Sequence, residues 1–168
     1  MLRVCHPARD LHGTSRQVIR AVKLYLDLCC LNRPFDDQSQ ARVALESQAV
    51  VLILEKVDRG KHALCNSAAL VVENSLCPKI QERLAIEALL DHADIWIGYD
   101  KHIEARAVEL RKLGFKEFDA YHTATAERGG CDRLVTCDDR FLKAARRNAG
   151  KIGATVTDPI RLVSEVAF

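Results

Sequence analysis

Short apolar runs alternate with amphipathic segments along most of this 168-residue chain. The runs with strand character are VKLYLD, KHALCN, DIWIG, DRLVTC and ATVTDP. Between them, the segment DKHIEARAVELRKLG places Ile103, Ala107 and Leu110 on one helical face and ends at Gly114. Strands that alternate with helices build a mainly parallel sheet with helices on both faces. The alternation therefore predicts an α/β fold.

Turn and cap residues set the bounds of the other predicted helices. SQARVALESQAVVLILEKVDRG predicts a long helix that ends at Gly60, although its AVVLIL run is also typical of a buried strand. Ser67 is the predicted N-cap of SAALVVENSL, and Pro78 is predicted to begin the next helix. KEFDAYHTATAERGG and DDRFLKAARRNAG complete the set. No internal repeat or second domain interrupts this order.

Residues 1–22 precede the regular pattern and hold four arginines against one acid. We interpret them as a flexible tail or a misassigned start, with a single domain over residues 23–168. A basic RNA-contacting arm and a transit peptide are the alternatives. No apolar stretch approaches the roughly 20 residues that span a bilayer, so we expect no membrane association. Because no secretory signal precedes the domain, we expect a cytoplasmic protein.

Net charge and cysteine pattern narrow the classes of function. A net charge of +2 gives no strong global field, so a nucleic-acid partner would have to meet a local basic patch. The seven cysteines are odd in number and contain no C-x-x-C pair, although Cys29 and Cys30 are adjacent. This pattern indicates free thiols in a reducing compartment rather than a disulfide framework or a zinc site.

Four acidic residues stand where carboxylates need an explanation. Asp27 ends the first apolar run, where Asp is uncommon and costly to bury unpaired. Glu73 interrupts the apolar helical run SAALVVEN. Asp119 lies in the first turn of FDAYHTATAE, and Asp138 follows the strand RLVTC. Taken singly, each has an ordinary alternative, such as an N-cap, a charge at a helix N-terminus or a boundary side chain that reaches water.

The predicted topology brings these carboxylates to one place. Strand ends and the N-termini of the following helices face the same crevice of a parallel sheet. Carboxylates that converge there repel one another unless a cation is bound. Mg²⁺ or Mn²⁺ suits a site built from oxygen ligands, and such an ion assists phosphoryl-transfer chemistry. The pattern predicts a small metal-dependent nuclease.

From about Val22 to its C-terminus the chain resembles the PIN-domain nucleases, including VapC-like toxins. The resemblance rests on VKLYLDLCCLNRPFDD, NSAALVVEN and FDAYHTATAERGGCDRLVTCDDRFLKAAR. The family places acids at the positions of Asp27, Glu73 and Asp119, and a Thr-x-Asp motif at Thr136 to Asp138. The resemblance implies a compact three-layer α/β/α domain, Mg²⁺- or Mn²⁺-dependent cleavage of RNA, a homodimer, and neutralisation by a cognate antitoxin.

The resemblance also implies a role for each site residue. Asp27 and Asp119 would hold the metal most directly, and Glu73 and Asp138 would complete the catalytic pocket directly or through water. Thr136 would orient Asp138 through its hydroxyl group. Asp139 competes with Asp138 for its role, but the Thr-x-Asp spacing favours Asp138. The 22-residue extension departs from the family, in which the first strand usually begins at the N-terminus.

Several basic residues and one histidine are further candidates. Arg33, in the loop after Asp27, is a possible RNA contact. A basic cluster follows Asp138, and a phosphate-binding role and a solvated helix face explain it equally well; it consists of Arg140, Lys143, Arg146, Arg147 and Lys151. His122, three residues after Asp119, suggests an acid–base role, but we favour a structural or exposed histidine.

Two other functions remain open from the sequence. One is a PIN-like domain that binds RNA or a protein without cutting. The other is phosphoryl transfer with Asp27 as the nucleophile. A dehalogenase-type phosphatase requires Asp-x-Asp, whereas Leu28 and Cys29 follow Asp27, so this alternative is weak.

Overall fold

The computed structural model describes residues 21–165, which form a five-stranded sheet with the order β3-β2-β1-β4-β5. All neighbouring strands are parallel. The strands are β1 (Val22–Leu26), β2 (His62–Ser67), β3 (Ile95–Ile97), β4 (Arg133–Val135) and β5 (Val156–Thr157). The predicted three-layer α/β/α fold with a parallel sheet is confirmed. All but the last two residues of the proposed tail, residues 1–22, lie outside the described residues, so that division stays a prediction.

The helices of the described chain occupy the intervals between these strands. They are α1 (Leu28–Asn32), α2 (Ala41–Asp58), α3 (Ala68–Ser75), α4 (Ile80–Leu90), α5 (Lys101–Lys112), α6 (Glu117–Arg128), α7 (Asp139–Arg147) and α8 (Pro159–Glu165). Short 3₁₀ turns cover Arg33–Phe35 and Ala149–Lys151. Within these residues no helix combines the length and apolar character that a membrane crossing requires.

Local chemistry explains most helix bounds. Gly60 and Gly114 follow α2 and α5 with φ of +66° and +93°, a left-handed conformation that glycine adopts without strain. The Ser67 hydroxyl oxygen accepts the Leu70 N–H and caps α3, as predicted. Pro78 does not begin α4, because Lys79 is still extended and the helix starts at Ile80. The sequence pattern also missed α8, whose first residue is Pro159.

The strand order places a crevice beside β1. The chain moves from β1 to β2 and β3 on one side, then from β4 to β5 on the other. Right-handed crossovers in these opposite directions put helices on both faces and open a crevice at the carboxyl ends of β1 and β4. Pairing of Leu26 with Val135 aligns these two ends, and the Asp27 N–H donates to the Val135 carbonyl at 2.9 Å. The residues that follow β1 and β4 therefore lie next to each other at the carboxyl ends of these strands.

Candidate active site at the carboxyl ends of β1 and β4

Asp27 is buried at the centre of this crevice, with 5% of its surface exposed. Its Oδ2 atom accepts hydrogen bonds from the Thr136 hydroxyl at 2.8 Å and from the Cys29 thiol at 3.0 Å. Burial is the main cause that raises the pKa of Asp27 well above its usual range. The neighbouring Cys29 raises this pKa further, whereas His122 lowers it. The sheet thus holds a carboxyl group that is costly to ionise without a cation.

His122 connects Asp27 to a second carboxylate. Its Nε2 atom lies 2.8 Å from Glu73 Oε2 and 3.5 Å from Asp27 Oδ1. The ring is 1% exposed, so this histidine is not a surface residue. Burial alone would lower the pKa of His122, but the hydrogen bond to Glu73 and the charge of Asp27 outweigh burial and raise it. His122 therefore lies inside the acidic pocket, as its spacing from Asp119 had suggested, and it is a buried rather than an exposed histidine.

The Nδ1 atom of His122 contacts one of two hydroxyl groups that are hydrogen-bonded to each other. The Tyr25 hydroxyl lies 2.8 Å from His122 Nδ1 and 2.8 Å from the Ser67 hydroxyl. Both Tyr25 and Ser67 are fully buried. A row of hydrogen bonds thus runs from Ser67 through Tyr25 and His122 to Glu73, and each buried polar group in it has a partner.

Asp119 and Asp138 belong to the same electrostatic cluster but have different environments. Asp119 is half-buried, and burial is the main cause that raises its pKa. The negative charges of Asp27 and Asp138 raise the pKa further, whereas the positive charge of Lys116 lowers it. No described residue donates a hydrogen bond to its carboxylate. Asp138 caps α7 by accepting the Arg140 N–H at 2.7 Å and contacts Lys116 Nζ at 3.2 Å. Partial burial would raise the pKa of Asp138, but these donors lower it.

These side chains fit a divalent cation. Ligand atoms of Asp27, Glu73 and His122 lie within 4.8 Å of one another. The carboxylate of Asp119 accepts no hydrogen bond from residues 21–165 and is repelled by Asp27. Carboxylate oxygens suit a hard divalent ion, and binding would relieve the repulsion among them.

Thr136 and Asp139 have defined partners in the structure. Thr136 donates its hydroxyl proton to Asp27 and accepts the Asp138 backbone N–H at 3.1 Å, so its hydroxyl group does contact Asp138, through the backbone N–H. Asp139, the rival of Asp138, is exposed and forms a bidentate ion pair with Arg42 at 2.6 and 2.7 Å. The carboxylate of Asp139 is therefore paired with Arg42, outside the acidic pocket.

Arg33 pairs with two acidic side chains in the structure. Its side chain is 19% exposed and contacts Asp36 at 2.8 Å. Its Nε atom lies 2.9 Å from Glu46 Oε2 as an ion pair, without the alignment of a hydrogen bond. These pairs occupy the guanidinium group, so an RNA contact would have to break them. By contrast, the side chains of the basic cluster on α7 are exposed, and none forms an ion pair with another described residue; they are Arg140, Lys143, Arg146 and Arg147.

Sequence reasoning missed Tyr25, and it gave His122 too little weight. Residues two apart on a strand point to the same face, so Tyr25 was placed to approach whatever Asp27 approaches. His122 follows Asp119 by three residues and therefore lies one helical turn away on the same face of α6. Both spacings were visible, but neither specified a partner.

Comparison with known proteins agrees with this geometry. A family model described as the PIN domain matches residues 24–147. The fold also resembles the crystal structure of VapBC2 from Rickettsia felis bound to a DNA fragment from their promoter, with a TM-score of 0.54 and 13% sequence identity. The match covers 82% of this chain and 98% of that chain, and at this identity it shows the fold alone. No curated protein matches the chain.

Proposed function

We propose that this chain, which belongs to the PIN domain family, is a divalent-metal-dependent endoribonuclease that hydrolyses phosphodiester bonds in RNA. PIN domains are generally nucleases, which supports the class of reaction. The observation that carries the proposal is the convergence of Asp27, Glu73 and His122 within 4.8 Å, with the donor-free carboxylate of Asp119 in the same electrostatic cluster. RNA as the substrate and dependence on Mg²⁺ or Mn²⁺ are parts of this proposal.

Asp27, Glu73 and Asp119 would hold the ion, and Asp138 would complete the pocket. A bound divalent ion supplies a Lewis acid for the phosphoryl group and activates water. The protein's own groups would do the positioning: Thr136 fixes one oxygen of Asp27 at 2.8 Å, and His122 holds Glu73 at 2.8 Å. These contacts orient carboxylates before any ligand arrives, which reduces the reorganisation that binding requires.

The direct test is cleavage of a labelled, structured RNA pool by the purified full-length chain with Mg²⁺, with Mn²⁺ or with EDTA. We expect cleavage with at least one metal and none with EDTA. RNA binding without cleavage in any metal would overturn the nuclease proposal and favour a non-catalytic RNA-binding domain. Cleavage that persists in EDTA would overturn the metal dependence.

Tyr25→Phe is expected to weaken the site without removing a carboxylate. The change deletes the hydroxyl that joins Ser67 and His122, so the free energy of unfolding should fall by about 1–3 kcal/mol. Loss of such support should also reduce cleavage or apparent metal affinity about 10-fold or more. Tyr121→Phe, a half-buried tyrosine on α6, is the control. Unchanged metal dependence in folded Tyr25→Phe would exclude this positioning role.

The basic cluster on α7 is expected to bind RNA phosphates. Removing Arg140 and Arg146 together, as Gln, should raise KM about 10-fold, change kcat little, and reduce the slope of log affinity against log salt by about 2. Arg59 and Lys61 lie just before the amino end of β2, whereas the candidate site lies at the carboxyl ends of the strands, and their double Gln variant is the charge-matched control. Equal effects of the two double variants would indicate only general charge attraction.

We also propose that the protein is the toxin of a toxin–antitoxin pair and forms a homodimer. The fold likeness to a VapBC2 structure supports the toxin assignment. Exposed Val72, Leu76, Trp96 and Tyr99 supply apolar surface that a partner would cover. Expression should arrest growth, and co-expression of the neighbouring gene should relieve the arrest. Harmless expression of active protein would contradict the toxin role, and a monomer by light scattering would contradict the dimer.

A further inference from the structure

Three cysteines converge next to Asp27, although no sequence motif links them. Cys29 and Cys30 lie in α1 directly after β1, and Cys137 follows β4. Because β1 and β4 pair side by side, their ends bring the thiols together. The Cys30 and Cys137 sulfur atoms are 3.5 Å apart, and all three sulfur atoms lie within 4.8 Å of one another.

These separations match a tetrahedral metal site. With metal–sulfur bonds of about 2.3 Å, a tetrahedral Zn²⁺ ion holds its sulfur ligands roughly 3.8 Å apart. The observed spacing brackets this value, so small side-chain shifts would complete the coordination. Cys30 and Cys137 are buried, but Cys29 is half-buried and leaves a path for the ion to enter.

Polar groups around the cluster also contact its sulfur atoms. The Cys137 backbone N–H donates to the Cys29 sulfur at 3.1 Å, and the guanidinium group of Arg33 lies beside the Cys137 sulfur. An N–H donor and a nearby positive charge stabilise sulfur ligands as a second layer of contacts. Asp27 Oδ2, 3.0 Å from the Cys29 sulfur, is an oxygen within reach to act as a fourth ligand.

We propose that Cys29, Cys30 and Cys137 form a binding site for a thiophilic divalent ion of the Zn²⁺ class, next to the carboxylate site. Binding releases the thiol protons to solvent and leaves three thiolates on the ion. An ion bound to the three thiols would pull Cys29 and Asp27 away from the carboxylate site. Zn²⁺ would therefore inhibit Mg²⁺-dependent cleavage, a consequence that rests on the proposed nuclease function, whereas binding itself does not.

The test uses Cd²⁺ as a spectroscopic probe, because cadmium–thiolate bonds absorb in the ultraviolet and cadmium–carboxylate bonds do not. We expect the reduced, metal-free full-length chain to develop this band at one Cd²⁺ per chain. Cys137→Ser should weaken the binding at least about 100-fold, since a lost ligand costs more than a lost supporting contact. The matched control is Cys131→Ser, a buried cysteine whose sulfur lies 3.5 Å from Cys65 in a two-thiol pair.

A second measurement does not depend on a variant that folds. In the wild-type chain, Zn²⁺ should protect the half-buried thiol of Cys29 from alkylation, and mass spectrometry should show the half-buried thiol of Cys77 still modified. Absence of the ultraviolet band, its retention in folded Cys137→Ser, or absence of protection would overturn the site. If the chain binds Cd²⁺ through these thiols but cuts no RNA, only the nuclease proposal fails.

Discussion

Asp27→Asn is expected to lower kcat/KM for RNA cleavage at least about 10³-fold, which corresponds to roughly 4 kcal/mol of transition-state stabilisation. The substitution removes the most buried carboxylate of the pocket and keeps its size. Asn can still accept the hydrogen bond that Thr136 donates at 2.8 Å, so the strand ends should stay aligned. The measurement is single-turnover cleavage of labelled RNA with saturating Mg²⁺ or Mn²⁺.

The metal-free stability of the same variant gives an independent readout. Because the pKa of Asp27 is raised in the folded state, the folded chain holds this proton more tightly than the unfolded chain does. The stability that this bound proton contributes is fully present below the unfolded pKa of about 3.9. It is lost as pH rises from there through the raised pKa of the folded state. Asn does not titrate, so metal-free Asp27→Asn should be as stable as the wild type at neutral pH, or more so.

A matched aspartate separates the site from charge loss in general. Asp139→Asn removes an exposed carboxylate that pairs with Arg42, and cleavage should change by less than about twofold. Mg²⁺ should raise the melting temperature of the wild type and of Asp139→Asn but not that of Asp27→Asn. Full activity in correctly folded Asp27→Asn would remove Asp27 from the catalytic assignment, and loss of activity in Asp139→Asn would give Asp139 the role assigned to Asp138.

The sequence predicted the sheet well because its signals are local. Alternating strands and helices, the Ser67 cap and the glycines after α2 and α5 each act over a few residues, and the structure contains all of them. Strand ends such as Asp27 could be placed because parallel strands share one edge. The same argument brought Thr136 and Asp138 beside Asp27 without knowledge of the side-chain contacts.

Contacts between distant elements were not predictable in the same way. Arg33 stays a predicted RNA contact, but the sequence did not reveal its ion pair with Glu46 from α2. His122 had no identified partner in the sequence, because Glu73 reaches it from another helix. Cys137 joins Cys29 only through the pairing of β4 with β1. Each contact joins two elements that are distant in sequence. The spacing of residues within one segment does not show which other segment will pack against it.

Glu46→Gln is expected to have the largest effect on stability among the charged residues. Glu46 is 2% exposed on α2, and its two oxygens contact Arg33 Nε at 2.9 Å and Arg42 Nε at 2.8 Å. Removing the charge leaves Asp36 as the carboxylate paired with the largely buried guanidinium group of Arg33. Breaking a buried pair costs about 3–5 kcal/mol, and the exposure of Arg42 favours the lower end, so we expect a loss of about 3 kcal/mol in denaturant unfolding.

The same variant decides what Arg33 does. Glu55→Gln, which breaks an exposed 3.5 Å pair with Arg59, is the control and should cost less than about 0.5 kcal/mol. If Arg33 is an anchor of the loop, Glu46→Gln should destabilise the chain and leave KM for RNA unchanged under conditions where it is folded. If Arg33 instead binds RNA, freeing it from Glu46 should lower KM, and a stability close to the wild type would contradict the buried ion pair itself.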